Sequence, residues 1–355
     1  MVQAPAPARL IEGGLPTGAT LAQILVSKYA DHLPLYRQAQ IYARQGIMLD
    51  RSTLADWVGR AAGLLRPAHE RLARLKTSTK LFADETTAPV LDPGRGRTKI
   101  GQLWAYARDD RAWGGVDPPG VAYVYAPDRK AERPITHLAG FAGILQVDGY
   151  AGYRVLAERG DVQLAFCWAH VRRRFYELAV AGRAPIASDA VKRIVELYAV
   201  ENEGRGRSAD ERRALRQEKS RSILEAFQPW LRAKLTLISQ KTKLADAIRY
   251  ALSRWEGLTR FIDDGRIEID SNVVERSIRP IALNRKNALF AGSDGGGEHW
   301  AGIASLIETC KLCDIEPPNY LADVITRIVN GHPNSQIDDL LPWAYPAASA
   351  IRAVA

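Results

Sequence analysis

Gly143-Ile-Leu-Gln-Val-Asp148 is a short apolar run that ends on an acid, and this pattern indicates a buried β-strand. Leu81-Phe-Ala-Asp84 has the same pattern earlier in the chain. Gly and Pro clusters bound three further strand-like runs, at residues 102–108, 121–125 and 162–167. A short helix is predicted near residues 135–141. The resulting order is three strands, a helix, a strand, a helix and a strand.

This order of elements predicts an α/β fold with an RNase H-like mixed sheet. Between the last strand and the final helices the sequence is helical and charged, which indicates a helical insertion into the sheet region. The predicted units are a disordered leader (1–19), an all-α region (20–76), a first core part (77–181), the insertion (182–266), a second core part (267–332) and a C-terminal tail (333–355).

The all-α region contains a pattern that suits a helix-turn-helix. A helix beginning near Gln38 breaks at Gly46, and Asp50 precedes a short helix with an apolar face that reaches Ala62. A plain helical hairpin that packs on the core explains the same pattern. Both interpretations stay open from the sequence.

Composition favours a polyanionic partner and a reducing compartment. The chain of 355 residues carries a formal net charge of +9, and neutralised phosphates release counterions when such a protein binds nucleic acid. A basic protein without a nucleic-acid role is equally compatible with charge alone. Three cysteines do not suggest a disulfide framework, which favours the cytoplasm. No apolar run approaches the ~20 residues of a membrane span, so no membrane partner is expected.

The acids Asp84 and Asp148 end predicted strands, where a rigid backbone can hold a metal ligand in place. Carboxylates suit Mg²⁺, and two such ions can promote phosphoryl transfer. Acids that only cap turns are a common alternative. Glu275 has a local alternative too, because Asn272-Val-Val-Glu275 matches a capping box and Arg279 lies one helical turn on.

Cys167-Trp-Ala-His170 also carries reactive side chains. Cys167 and His170 have a spacing that metal ligands use, but two ligands do not make a structural zinc site. Trp168 could stack on a DNA base, or it could pack with Cys167 between the sheet and the insertion. The glycine-rich run 292–297, before a helix predicted from Glu298, is either a phosphate contact or a turn.

Long stretches of this sequence resemble, in order, the IS66 family of bacterial insertion-sequence transposases, which are of the DDE type. They are Phe82–Thr87, Leu145–Tyr153, Cys167–Phe175, Ile269–Pro280 and Asn284–Ser293. Resemblance extends from about residue 21 to residue 343. It implies a DNA transposase whose catalytic and metal-binding acids are Asp84, Asp148 and Glu275, with two Mg²⁺ or Mn²⁺ ions. It also implies that the Cys167–His170 motif lies near the active site.

The resemblance further implies DNA partners, both the element ends and the target. Homodimers or larger assemblies on DNA and small accessory proteins of the same element are expected as well. Basic residues would hold phosphates near the acids; they are Arg172, Arg173, Arg276 and Arg279. A non-catalytic, immobile DNA-binding remnant and a structure-selective nuclease stay open as alternatives.

Two departures from the family pattern affect these expectations. Ser271-Asn272 stands where family members often have two Asn. The sequence also lacks the N-terminal coiled coil and zinc-binding unit that the family usually carries. We therefore expect weak recognition of the element ends, with less than about a tenfold preference over scrambled DNA.

Overall fold

The structure is a computed structural model that describes residues 10–11, 16–92, 94–182 and 184–345. Most of the predicted leader (1–19) and the end of the predicted tail (333–355) lie outside the described residues. Within those residues, every helix is too short or too polar to cross a lipid bilayer.

A five-stranded mixed sheet forms the centre of the fold. Its strands are β1 (Lys80–Asp92), β2 (Arg97–Arg108), β3 (Gly120–Ala126), β4 (Gly143–Val147) and β5 (Val162–Phe166). The strand order is β3-β2-β1-β4-β5. The first three strands are antiparallel, whereas β4 and β5 run parallel to β1 and to each other. The predicted α/β class and mixed sheet are therefore confirmed.

Strand β1 is longer than predicted, and Asp84 lies inside it rather than at its end. Parallel pairing with β4 stops at Ala83, which is opposite Val147, while antiparallel pairing with β2 continues to Asp92. Asp84 therefore stands where β1 loses its parallel neighbour. The carboxylate sits at the edge of the parallel part of the sheet even though the strand continues.

The N-terminal region folds into three helices: α1 (Gly18–Tyr29), α2 (Leu35–Arg44) and α3 (Arg51–Leu72). Gly46 has φ = +80° in the turn between α2 and α3, a conformation that favours glycine. The buried face of α3 repeats at helical spacing through Leu54, Trp57, Val58, Ala61 and Leu65. The second helix of this pair is longer than predicted, and a role in reading DNA stays a prediction.

Two short helices flank β4 along the chain, α4 (Glu132–His137) before it and α5 (Arg154–Glu158) after it. After β5 the chain is helical, with α6 (Trp168–Ala181), α7 (Pro185–Glu203), α8 (Ala209–Leu215), α9 (Arg221–Thr236), α10 (Lys243–Leu252) and α11 (Trp255–Thr259). These helices share a buried apolar cluster that includes Trp168, Phe227, Ile248 and Leu258. The cluster joins the predicted insertion to the sheet at β5, although the boundary of this unit stays a prediction.

The final helices cover one face and one edge of the sheet: α12 (Asn272–Ala288), α13 (Asp294–Leu312) and α14 (Pro317–Val329). Strand β3 is an edge strand, and its free N–H groups find partners on α13. The backbone N–H of Tyr123 donates to the Ser305 hydroxyl at 2.8 Å, and the backbone N–H of Val121 donates to the Thr309 hydroxyl at 3.1 Å. An edge covered in this way is protected from pairing with another chain. Residue Leu340, in the predicted tail, is buried.

The glycine-rich run 292–297 is mostly the first turn of α13 and not a loop before it. The helix begins at Asp294 rather than near Glu298, because the Ser293 hydroxyl accepts the Gly296 N–H at 3.0 Å as an N-cap. A Cβ added to Gly297 would lie 2.7 Å from the Tyr125 ring. Close packing of α13 on β3 therefore explains at least this glycine.

Candidate active site

The carboxyl edge of the parallel strands gathers three of the predicted site residues. Ala83 of β1 is opposite Val147 of β4, and Val147 is opposite Phe166 of β5. The next residue on each segment is therefore Asp84, Asp148 and Cys167, respectively. Because the carboxyl ends of parallel strands meet at one edge, the register places these three residues side by side.

Helix α12 runs across the face of the sheet to which Asp84 belongs. Asp84 is opposite Ala105 of β2, which is opposite Tyr123 of β3, and residues directly opposite in antiparallel strands share a face. The Tyr123 hydroxyl donates to the Ser277 carbonyl of α12 at 2.5 Å. The first turn of α12, which carries Glu275, is thereby held on the same side of the sheet as Asp84.

Asp84 is a partly buried carboxylate in a crowded acidic environment. Burial raises the pKa of Asp84 from 3.8 to about 7, and the nearby Asp148 carboxylate is the second largest cause of this shift. Glu85 and Glu275 act in the same direction, while the Glu85 N–H donates to Asp84 Oδ1 at 2.8 Å and opposes them. A cation placed among these oxygens would relieve their repulsion.

Asp148 is fixed in the turn after β4 by hydrogen bonds to both its side chain and its backbone. Its Oδ1 accepts the Tyr150 N–H at 2.9 Å. Its carbonyl accepts the Tyr250 hydroxyl at 2.7 Å, which ties the turn to α10. Gly149 follows with φ = +103°, and a Cβ there would lie 2.5 Å from Arg254 Nε. These contacts hold the Asp148 carboxylate in one place.

The capping-box interpretation of Glu275 is wrong. The N-cap of α12 is Ser271, not Asn272, and Asn272 instead donates to Asp270. Glu275 Oε1 accepts the Ser271 hydroxyl at 3.1 Å and lies 3.7 Å from His170 Nδ1. The Glu275 side chain is 27% exposed. Its carboxylate also lies near enough to Asp84 to contribute to the raised pKa of that carboxyl.

The start of α6 is bound to the segment that leads into α12. The backbone N–H of Trp168 donates to the Ile269 carbonyl at 3.0 Å, and the backbone N–H of Ser271 donates to Cys167 Sγ at 3.3 Å. Burial raises the pKa of Cys167 to about 11, so the thiol stays protonated at neutral pH. Ligand atoms of Cys167, His170 and Glu275 all lie within 4.8 Å of one another. Glu275 therefore belongs to two groups with metal-ligating side chains.

Stacking of Trp168 on a DNA base does not fit the structure. The side chain is fully buried, and its indole N–H donates to the Leu258 carbonyl at 2.8 Å. The ring packs on Phe227 and, edge-on, against Trp255. The packing alternative describes this residue, because no face of the ring is available to a ligand.

The arginines predicted to contact DNA surround the first turns of α12. They are Arg172 and Arg173 of α6 and Arg276 and Arg279 of α12. Arg172 is partly buried and the others are exposed. Arg172 and Arg173 border a depression that Asp270 and Asn272 also line, and Arg276 borders a second depression lined by the same two residues. The structure thus places three of them around Asp270 and Asn272, at the start of the helix that carries Glu275.

Sequence reasoning missed an ion pair between the buried Glu85 carboxylate and the half-exposed Arg129. Glu85 follows Asp84 on β1, and alternation along a strand turns it to the opposite face. Its side chain is 1% exposed, forms an ion pair with Arg129 and accepts the Tyr153 hydroxyl at 3.3 Å. The only local signal was that a second acid, Glu85, directly follows Asp84. Its partners Arg129 and Tyr153 could not be inferred, because they lie in distant segments of the chain.

Two further arginines lie near Asp148: Arg174, which belongs to the basic run of the Cys167–Phe175 motif, and Arg254, which had no sequence signal. Arg174 and Arg254 lie over the Tyr250 ring, each with its guanidinium carbon 4.0 Å from the ring centroid. Arg254 also donates to the Gly149 carbonyl at 3.2 Å. Positive charge therefore borders the acidic group on the α10 side as well as on the α12 side.

Together, these features describe an α/β protein in which acids from β1, the turn after β4 and the first turn of α12 lie near the carboxyl edge of a mixed sheet, with arginines nearby. The chain belongs to the IS66 transposase family. The family model described as "Transposase IS66 family" matches residues 13–299, and that of the "IS66 C-terminal element" matches residues 305–343. The resemblance seen in the sequence motifs is confirmed.

Three proteins of Sinorhizobium fredii (strain NBRC 101917 / NGR234) are similar over almost the whole chain. Uncharacterized protein y4qI is 51% identical over 354 residues, which cover 97% of this chain and 66% of that protein. Uncharacterized protein y4jD is 47% identical, covering 98% and 70%, and y4hP is 40% identical, covering 98% and 66%. The chain thus spans about two thirds of the length of these curated relatives.

Proposed function

We propose that this chain is a DNA transposase that cleaves and transfers strands by metal-dependent phosphoryl transfer at Asp84, Asp148 and Glu275. The observation that carries the proposal is the convergence of three acids from β1, the β4 turn and α12. Each acid has a different structural origin, so local turn capping does not explain why they meet. Family membership supports a transposase role.

The sheet supports an RNase H-like core for this reaction. Three antiparallel strands are followed by two parallel strands on the far side of β1, in the order β3-β2-β1-β4-β5. We propose that this is the RNase H-like arrangement, interrupted after β5 by the helices α7 to α11. In this proposal the insertion brings α12 and its glutamate back over the strands.

The chemistry of the acidic group fits a hard divalent cation. Carboxylate oxygens are the ligands that Mg²⁺ and Mn²⁺ prefer. Burial first, and repulsion from Asp148 second, raise the pKa of Asp84, and a bound cation would offset both effects. When bound, a pair of these ions supplies activation of the attacking oxygen and stabilisation of the leaving oxygen. Asp84, Asp148 and Glu275 would hold them.

The remaining residues position DNA at these acids. Arg172, Arg173, Arg276 and Arg279 hold backbone phosphates and set position rather than sequence. Water attacks phosphorus at the element end, the P–O3′ bond breaks, and a 3′-hydroxyl is released. That hydroxyl then attacks a target phosphorus and displaces the target's own 3′-oxygen. No covalent protein–DNA intermediate is required.

Partners follow from this reaction. Joining two element ends to one target requires at least two active sites, so we propose a homodimer or larger assembly on DNA, aided by accessory proteins of the same element. Cys167, Cys310 and Cys313 are free thiols, which suits a reaction in the cytoplasm.

The proposal is tested by incubating the full chain with an end-labelled duplex of the element's terminus and a supercoiled target plasmid. We expect 3′-hydroxyl nicks and joined products with Mg²⁺ or Mn²⁺, binding with little turnover in Ca²⁺, and neither product in EDTA. Nicking without joining would favour a nuclease, and binding without any cleavage would favour an immobile remnant. Full activity in EDTA would overturn the metal-dependent mechanism.

Asp84→Asn is expected to stabilise the metal-free protein at about pH 8. Because the pKa of Asp84 is raised to about 7, its ionisation destabilises the folded state. The wild-type chain has its full stability below the pKa that Asp84 has in the unfolded chain. It loses stability as the pH rises through the pKa that Asp84 has in the folded chain. Since a pKa unit corresponds to about 1.4 kcal/mol and solvent screens a partly exposed group, we expect a gain of about 1–2 kcal/mol.

Urea unfolding in EDTA at several pH values measures this gain, which should shrink as the pH falls through 7 towards 4. Asp161→Asn is the matched control, because Asp161 is an exposed acid that pairs with Arg159 away from the acidic group. A loss of stability in Asp84→Asn at about pH 8 would mean that the carboxylate is not under electrostatic strain.

A further inference from the structure

The junction of β5, α6 and α12 carries a set of ligands unlike that of the two aspartates. It consists of a thiol, an imidazole and a carboxylate, from Cys167, His170 and Glu275. One ligand atom from each residue lies within 4.8 Å of the other two. Thiolate and imidazole suit borderline-soft ions such as Zn²⁺ and Co²⁺, whereas Mg²⁺ prefers oxygen ligands alone.

The distances between these ligand atoms are close to those that a tetrahedrally coordinated ion requires. Bond lengths of about 2.3 Å to sulfur and 2.0–2.1 Å to nitrogen or oxygen place neighbouring ligand atoms roughly 3.3–3.6 Å apart. His170 Nδ1 and Glu275 Oε1 are already 3.7 Å apart. Small side-chain rotations would bring the whole group to bonding distance, because all the ligand atoms lie within 4.8 Å.

A second observation points to a ligand at the same place. His170 Nδ1 is a buried polar atom with no hydrogen-bond partner among the described residues. Buried polar atoms nearly always have a partner, so such an atom calls for a ligand that satisfies it. The Nδ1 atom lies on the side of the ring that faces Glu275.

The backbone also prepares the cysteine for a metal ion. Cys167 is the N-cap of α6 and His170 lies in the first turn of the same helix, so their spacing is fixed. The Ser271 N–H donates to Cys167 Sγ at 3.3 Å, which holds the sulfur against the start of α12, the helix that carries Glu275. The His170 and Glu275 side chains are 25% and 27% exposed, which leaves a route for an ion to enter.

We propose that Cys167, His170 and Glu275 form a second metal site, selective for Zn²⁺-like ions, with a fourth position open to water or an incoming oxygen. Because Glu275 cannot serve both metal groups fully, a bound Zn²⁺ ion draws this carboxylate away from Asp84 and Asp148. Zn²⁺ therefore inhibits the Mg²⁺-dependent reaction. This inhibition rests on the proposed function, whereas binding at the site does not.

Binding is tested by titrating Co²⁺ into the reduced, metal-free full chain and recording its absorption spectrum. We expect a thiolate-to-cobalt charge-transfer band and the visible bands of tetrahedral cobalt, saturating at about one equivalent. Cys167→Ser should lose the charge-transfer band. His170→Ala and Glu275→Gln should each weaken binding by about tenfold or more.

Cys313→Ser is the matched control, because Cys313 is a thiol remote in sequence whose Sγ donates to the Pro119 carbonyl. Cys313→Ser should retain the charge-transfer band and the visible bands of tetrahedral cobalt. Asp84→Asn should retain them as well. Melting curves establish that each variant is folded, and the partly exposed His170 provides a variant that does not depend on replacing a buried thiol. Absence of the band in the wild-type chain, or its persistence in Cys167→Ser, overturns the proposal.

Inhibition is tested separately by adding Zn²⁺ to the Mg²⁺-dependent nicking reaction. We expect at least about tenfold inhibition of the wild-type chain at one equivalent of Zn²⁺, and loss of this inhibition in Cys167→Ser relative to its own rate without Zn²⁺. If nicking fails but the cobalt band forms, only the proposed function is overturned. If nicking proceeds and no band forms, only the second metal site is overturned.

Discussion

Asp148→Asn is expected to reduce DNA strand cleavage by at least about 10³-fold, equivalent to roughly 4 kcal/mol of transition-state stabilisation. The substitution removes a charge and a metal ligand but keeps an oxygen that can accept the Tyr150 N–H. The fold of the turn should therefore survive. Affinity for DNA should stay within about twofold, because the proposed phosphate contacts come from arginines. Nicking of a supercoiled plasmid in Mn²⁺ and a binding titration in Ca²⁺ measure the two effects.

Asp161→Asn is the control for this prediction as well. Asp161 precedes β5, and its carbonyl accepts the Gly143 N–H at the start of β4, so it lies at the opposite edge of the parallel strands. Its side chain is 42% exposed and pairs with Arg159. We expect its cleavage rate to stay within about twofold of wild type. Retention of more than about a tenth of wild-type cleavage by Asp148→Asn would remove this residue from the catalytic group.

Local patterns were sufficient to predict the sheet but not the full length of its central strand. Apolar runs bounded by Gly and Pro predicted all five strands, because buried strands need such runs. The second half of β1 was missed, since Thr86 and Thr87 are polar and Pro89 argues against a central strand. That half has no β4 neighbour, so Pro89 is tolerated there.

The acidic site shows where local reasoning ends. Asp84 and Asp148 could be paired from their strand positions, because parallel strand ends meet at one edge. Glu275 could not, since its local sequence matches a capping box and the actual cap is set by distant contacts. Ser271 is held by Cys167, which lies 104 residues earlier. The motif resemblance supplied Glu275 where the physics of the segment alone favoured a different role.

Charge patterns were similarly ambiguous in the helical insertion. Arg212 and Arg216 belong to the charged helical insertion, and charged helical segments usually expose such side chains to solvent. In the structure their side chains are only 4% and 1% exposed and share Glu201 as an ionic partner. The burial of these two arginines depends on Glu201, which lies more than ten residues earlier in the chain. Net charge therefore overstates the basic surface that is available to DNA.

Trp168→Ala is the substitution with the largest expected effect on folding, a loss of about 3–5 kcal/mol. The side chain is fully buried between β5 and the helical insertion, and its centroid lies 6.2 Å from that of Phe227 and 5.7 Å from that of Trp255. Truncation leaves a large cavity and an unpaired Leu258 carbonyl. Trp168→Phe keeps most of the volume but loses the hydrogen bond, so a smaller loss of about 1–2 kcal/mol is expected. Urea unfolding measures both values.

Tyr176→Ala is the matched control, because Tyr176 is an aromatic residue on the same helix and is 47% exposed. Its free energy of unfolding should stay within about 0.5 kcal/mol of wild type. The two explanations of Trp168 give opposite results for Trp168→Phe, which is expected to fold with DNA affinity unchanged. If Trp168 stacked on a base, this variant would bind DNA more weakly while its stability stayed at the wild-type value. That outcome would contradict the buried packing described here and would require α6 to open when the chain binds DNA.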